Sequence, residues 1–171
     1  DLSRSKVYSI IEDYSGNIWL GLLQKGLYKQ PIVFNGFQYM GYKLGARNAI
    51  GPACVVSVMI DSKQRTWVGT DKDGLYLFDA NDQLIRHMKD GFPSTVMTIA
   101  EADNDRIWIG SYGEGGGWID AASLQYHKLS YPQDERLIIM DIVQDTQGRM
   151  WAATMRHGVL CFSQDGKGIA S

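Results

Sequence analysis

"GNIWLG" (Gly16 to Gly21) decides the fold, because the phrase returns three times: "QRTWVG" at Gln64 to Gly69, "DRIWIG" at Asp105 to Gly110, "GRMWAA" at Gly148 to Ala153. Aligned on Trp19, Trp67, Trp108 and Trp151, the units are spaced by 48, 41 and 43 residues, as in repeat architectures. Twelve residues before each Trp stands Val7, Val55, Val96 or Ile139, and nine before stands Ile10, Val58, Ile99 or Ile142. Six before are Asp13, Asp61 and Asp145, with Ala102 breaking the series. Seven after each Trp is a glycine: Gly26, Gly74, Gly115, Gly158. So many coincidences exclude chance.

Each unit reads as a four-stranded meander. "VYSIIED" and "VVSVMID" are apolar on both alternating faces, the pattern of a strand covered on both sides. "DYSGN", "DSKQR", "DNDR" and "DTQGR" then supply turn chemistry. The Asp side chain can bond the backbone two residues on, and Gly16 or Gly148 can turn left-handed. Gln64 and Asp105 hold that place in the middle units, which predicts a differently built turn there. The Trp strand follows, with Gly21, Gly69, Gly110 or Ala153 two residues later, small enough for another backbone to approach. The next glycine opens a third strand, "GLYK", "GLYLF" or "GVLCF". A weaker fourth starts at Phe37, Leu84 and Leu124.

No convincing amphipathic helix interrupts this pattern. The expected fold is all-β: about four four-stranded antiparallel sheets stacked as β-propeller blades in one segment, 1–171, with blades near 7–41, 55–89, 96–130 and 139–171. One blade cannot bury its own faces, so each leans on its neighbour, and the repeated tryptophans fill that interface rather than stacking on ligand. Trp118 lies off the repeat, after "GEGGG", and its role stays open.

Composition limits function. The 171 residues can bury a real core, and a net charge of −2 offers no basic face for nucleic acid. No apolar run approaches the roughly 20 residues of a membrane span. Asp stands at position 1, so the chain reads as an excised or mature segment. Cys54 and Cys161 lie too far apart for a C-x-x-C pair and fall in non-adjacent blades, so buried free thiols are expected.

The frame V-x-x-I-x-x-D-x-x-G-x-I-W-[IL]-G-T-x-x-x-G-L resembles the two-component regulator propeller repeat. "VYSIIEDYSGNIWLGLLQKGLYK" and "VVSVMIDSKQRTWVGTDKDGLYLFD" carry it best, and the resemblance runs from Val7 to Phe162. It implies the extracytoplasmic (periplasmic) sensor part of a two-component protein whose parent is a sensor histidine kinase, with propellers of about seven blades and roles in glycan utilisation. This segment then makes a fragment of a larger ring. "CFSQDGKGIAS" ends where a fourth strand would begin, so the expected partners are the remaining blades or another copy of the chain, with an oligosaccharide as ligand.

Antiparallel order puts the turns between second and third strands on the same face as the blade-to-blade connections. The first set includes Lys25, Lys72, Asp73, Tyr112, Glu114, Arg156 and His157; the second spans 42–52, 90–94 and 131–136. Tyr42, Lys43, Arg47, Lys72, Tyr112, Arg156 and His157 are therefore the candidate ligand contacts, rings and donors suited to a sugar, against the plainer reading of solvated loops. His87 and His127 occupy similar places in fourth strands, and outer strands diverge, so no shared metal site is expected. Asp13, Asp61 and Asp145 recur with the turn and do not form a carboxylate pair; Glu12 has no repeated partner. No nucleophile–base set, phosphate loop or cofactor motif is present. The segment reads as a non-enzymatic sensor module; a protein-interaction or dimerisation platform is the alternative, and a propeller lyase a third.

Overall fold

The computed structural model describes residues 2–31, 38–42, 49–131 and 136–169. Apart from a 3-10 turn at Leu2–Arg4, the named elements are strands, and they form four four-stranded antiparallel sheets in sequential order. The first sheet comprises β1 (Val7–Glu12), β2 (Ile18–Leu22), β3 (Gly26–Gln30) and β4 (Gln38–Tyr39). The second holds β5 (Cys54–Ile60), β6 (Thr66–Asp71), β7 (Leu75–Phe78) and β8 (Leu84–Met88). The third holds β9 (Val96–Ala102), β10 (Arg106–Ser111), β11 (Gly116–Asp120) and β12 (Tyr126–Lys128). The fourth holds β13 (Ile139–Gln144), β14 (Met150–Thr154), β15 (Val159–Phe162) and β16 (Gly168–Ile169). First strands of successive sheets lie side by side, β1 by β5, β5 by β9 and β9 by β13. These are propeller blades in an arc. Among the described residues no helix is long and apolar enough to cross a membrane.

The core divides into three clusters, one at each junction between sheets. Trp19 and Leu27 meet Val55, Val68 and Phe78 of the next sheet; Trp67, Leu75 and Leu77 meet Ile107, Ile109 and Ile119; Trp108 meets Ile142, Met150 and Phe162. Each indole thus faces forward, into the following blade. The glycine two residues beyond it lets the sheets close: a Cβ on Gly69 would sit 2.7 Å from the Val96 carbonyl oxygen. Trp151 lies on the last of the described sheets and is only partly buried, while Trp19, Trp67 and Trp108 are almost wholly enclosed.

The opposite end shows the same cause. β1, expected to be covered on both sides, is not: Val7 is 50% and Ile10 70% exposed, because among the described residues no sheet packs against the leading face. Of the two middle turns, the second sheet's departs from expectation. Gln64 adopts φ 61° and its N–H donates to the Asp61 carbonyl at 2.9 Å, repeating the Gly16–Asp13 and Gly148–Asp145 turns without a glycine. Only the third sheet differs, with both Asn104 and Asp105 left-handed. Of the two cysteines, Cys161 is buried and Cys54 half-buried; both are free thiols.

Candidate functional site

The turns between second and third strands are fixed by a device that the sequence pattern did not suggest. Three residues after the Trp, the hydroxyls of Thr70, Ser111 and Thr154 donate to the carbonyls of Gly74, Gly115 and Gly158 at 2.7, 2.7 and 2.8 Å. The glycines hold φ between 65° and 80°, a region open to them without Cβ strain. Further bonds knit each turn to its surroundings: Gly74 N–H donates to Ser94 O, and Gly115 N–H to Leu137 O, both at 2.9 Å. The turns between second and third strands of the second and third sheets are therefore held in place.

Two acidic side chains on this face serve as anchors. Glu114 accepts the N–H and hydroxyl of Ser94 at 2.9 and 2.6 Å. Asp73 accepts the Tyr76 hydroxyl at 2.5 Å and the Lys89 ammonium at 2.8 Å. Burial opposes its charge, but those donors outweigh burial and hold the Asp73 carboxyl below its usual range. Burial and the Asp73 bond push the Tyr76 phenol up to about 12, so it stays a neutral donor. The same phenol accepts Gly51 N–H at 3.2 Å, pinning the end of the long first connection.

What these anchors leave open is a groove of about 450 Å³ across the first three blades. First strands contribute Tyr8, Cys54, Val56 and Met97; turns contribute Gln24, Lys72 and Tyr112. Tyr8 and Tyr112 are both more than half exposed and come from the first and third sheets. Asp71 and Lys72 add opposite charges, and Thr95, a further lining residue, donates its hydroxyl to Asp71 at 3.0 Å. Burial pushes the Cys54 thiol up. Mostly apolar walls with a few polar groups suit a small ligand held by orientation rather than bulk charge.

Of the seven sequence candidates, the groove gathers Lys72 and Tyr112. Tyr42 is exposed and does not line it; Lys43 and Arg47 lie outside the described residues. Arg156 and His157 sit on the fourth sheet's turn, where His157 N–H donates to Thr154 Oγ1 and its ring meets Tyr131 edge-on. Tyr8 was not anticipated, since it reads as one more apolar strand residue. The signal was nonetheless present: Tyr8, Val56 and Met97 all stand eleven residues before their Trp, and that position lines the groove.

The histidines are not equivalent. His87 pairs with Tyr76 and His127 with Trp118, one register step apart, because His87 stands 20 residues after Trp67 and His127 19 after Trp108. Each stacks on its partner ring with centroids 3.9 Å apart. Trp118 also carries the Arg106 guanidinium, 3.9 Å from its ring centroid, so this off-repeat tryptophan is packed between two side chains. Among the described residues no cluster of His, Cys, Asp and Glu could hold a metal.

Fold and site together define a set of β-propeller blades with one loop face bearing a groove. The family model of the two component regulator propeller matches residues 1–23, which include β1 and β2. The chain is similar in structure to the extracellular domain of BT4673 from B. thetaiotaomicron, described as a hybrid two-component system: 21% identity, TM-score 0.72, covering 96% of this chain and 21% of that one. BT3049 of the same organism, described likewise, gives 24% identity, TM-score 0.74 and coverage of 92% and 21%. Virginiamycin B lyase from Staphylococcus aureus shares the fold at 15% identity and TM-score 0.77, covering 96% of this chain and 55% of the lyase. The chain spans about a fifth of the length of the two-component relatives. No curated protein matches it in sequence.

Proposed function

We propose that this chain is a non-catalytic sensor module, part of the extracytoplasmic portion of a two-component signalling protein, and that its groove recognises a glycan-type ligand. The repeat in the first blade and the likeness to extracellular domains of hybrid two-component systems support the signalling role. One observation carries the ligand reading: two exposed tyrosine rings and a lysine line one groove, and the turns that carry Lys72 and Tyr112 are hydrogen-bonded into position. Tyrosine faces suit the C–H side of a sugar ring, and Lys72 and Asp71 suit its hydroxyls. Binding here bridges three blades, so occupancy alters how those blades sit together, which is the coupling a sensor needs.

The test is calorimetric titration of an oligosaccharide panel against the parent chain, Tyr8→Ala, Lys72→Ala and Tyr112→Ala. Each variant is expected to weaken binding at least tenfold, about 1.4 kcal/mol. Affinity unchanged by all three removes the groove from consideration.

A further inference from the structure

The second and third sheets each have a sheet on either side, so the junction between them shows what an internal pair of blades presents to solvent. Its loop-face end holds a charge that the fold does not use. Lys72 is exposed and lines the groove, and among the described residues its ammonium has no ion-pair or hydrogen-bond partner. Other lysines of the second-to-third-strand face are engaged: Lys89 donates to Asp73 at 2.8 Å and Lys25 to the Ser5 hydroxyl at 3.0 Å. Asp71, the other charged group in the groove, is turned toward Thr95, whose hydroxyl donates to Asp71 Oδ1 at 3.0 Å.

Thr95 holds this arrangement together from just before β9. Its hydroxyl also accepts the Lys72 N–H at 3.3 Å, and its carbonyl accepts the Tyr112 N–H at 3.2 Å. One residue thus fixes the backbone from which a carboxylate, an ammonium and an aromatic ring reach the groove. The carbonyl bond is general to the repeat, since Leu23 and Met155 donate in the same way to Lys6 and Ile138 at 3.0 and 3.1 Å. The hydroxyl is not: Lys6, Cys54 and Ile138 stand at the equivalent place, thirteen residues before their Trp.

The backbone points the same way. Five residues after the Trp stand Gln24, Lys72 and Gly113, all left-handed, with φ of 55°, 67° and 81°. Glycine meets that demand without strain, and at Gly113 a Cβ would find nothing within 4 Å. A lysine here costs folding stability that a glycine would not, and such strain gathers where a site needs the side chain.

We propose that the sugar held at this junction is an acid, and that Lys72 is the residue that selects it. The ammonium pairs with the carboxylate of a uronic acid residue, the second oxygen of Asp71 accepts one of its hydroxyls, and the Tyr112 ring lies against its C–H face. This rests on the glycan reading above and names the class within it. A neutral sugar exchanges one solvated hydrogen bond for another at Lys72, whereas an anion gains an ion pair with a cation that has no competing partner. The Asp71 charge repels a second anionic group, so a single carboxylate flanked by hydroxyls fits both residues and a densely sulfated chain does not.

Calorimetric titration with a panel of oligouronates, each paired with its own carboxyl-reduced neutral form, tests this; a polysulfated oligosaccharide is the third arm. The best acid is expected to bind about fivefold tighter than its reduced form, the upper range for an exposed ion pair. That ratio is expected to shrink as salt rises from about 0.05 to about 0.5 M. Lys72→Gln should bring the ratio to unity and Lys72→Arg should preserve it. Lys72→Gly should lose the preference while its thermal midpoint is no lower than the parent's, an outcome that a merely structural lysine would not give. Equal affinity for acid and reduced forms overturns the proposal and leaves the groove reading standing. A preference that survives Lys72→Gln, or a polysulfated chain that binds tighter than every uronate, overturns it equally. Absence of binding by every oligosaccharide overturns both readings.

Discussion

The indole N–H of Trp67 donates to Asp61 Oδ2 at 2.9 Å, and Asp61 is fully buried. The other carboxylate oxygen accepts the N–H groups of Lys63 and Arg65, closing the turn between β5 and β6. A single side chain thus ties turn, core and cation together. Asp13 and Asp145 reach Trp19 and Trp151 in the same way, at 2.9 and 2.8 Å.

Asp61→Ala removes the partner of a buried indole, two backbone donors and Arg65. Breaking such a buried pair leaves the remaining groups unsatisfied, and the expected loss is about 3–5 kcal/mol. Urea denaturation followed by tryptophan fluorescence measures it; a loss within experimental scatter would mean the clamp is ornamental.

Ala102 occupies the aspartate position of the third blade, and Trp108 Nε1 is buried with no hydrogen-bond partner among the described residues. Ala102→Asp supplies the acceptor its sister blades possess. The expected gain is about 0.5–2 kcal/mol, the usual return of restoring a repeat consensus. Calorimetry decides it, since a lowered midpoint would show that this turn cannot seat the carboxylate.

Gly69 and Gly158 separate two uses of glycine. An alanine methyl at 69 meets Ser57 Oγ and the Val96 backbone, and overpacking there is expected to cost about 1–3 kcal/mol or more. At 158 nothing lies within 4 Å, so only the left-handed backbone, φ 65°, opposes alanine. That penalty is about 1–2 kcal/mol. Denaturation midpoints of Gly69→Ala and Gly158→Ala should rank in that order.

Acid should unfold the chain through its turn carboxylates. Burial alone would raise the Asp13 pKa, but donors from Trp19, Asn17 and Ser15 hold it below 3.8. Trp151 and then Arg149 hold Asp145 lower still. A native pKa below the unfolded one gives stability that is complete above the unfolded value, near pH 3.8, and is lost as pH falls through the native one. Thermal midpoints taken from about pH 5 down to about pH 2 should show a steep loss. Asp13→Asn and Asp145→Asn should flatten it.

Trp67→Ala should cost about 3–5 kcal/mol, because the ring is sealed between two blades. Trp151→Ala should cost clearly less, since its ring is only partly buried. Equal losses would show that the fourth sheet's outer face is covered in solution.

The groove illustrates how far sequence reasoning reached. Lys72 and Tyr112 could be placed on the loop face because strand alternation puts their turns there. Tyr8 could not, because its strand looks apolar throughout and only the arc's curvature decides that its position lines the groove. Likewise the anchoring of Asp73 by Tyr76 and Lys89 depends on residues from three different elements. Nothing in the order of residues distinguishes such an anchor from a free ligand contact.

By itself the sequence determined the blade. Hydrophobic alternation, an Asp–Trp spacing of six and a glycine seven residues beyond the Trp are local requirements of a meander, and local requirements repeat visibly. Tertiary structure decided which repeated residues are covered. Val7 and Val55 occupy the same place in the repeat, yet one is half exposed and the other sealed, because burial depends on the neighbouring sheet and not on the residue itself.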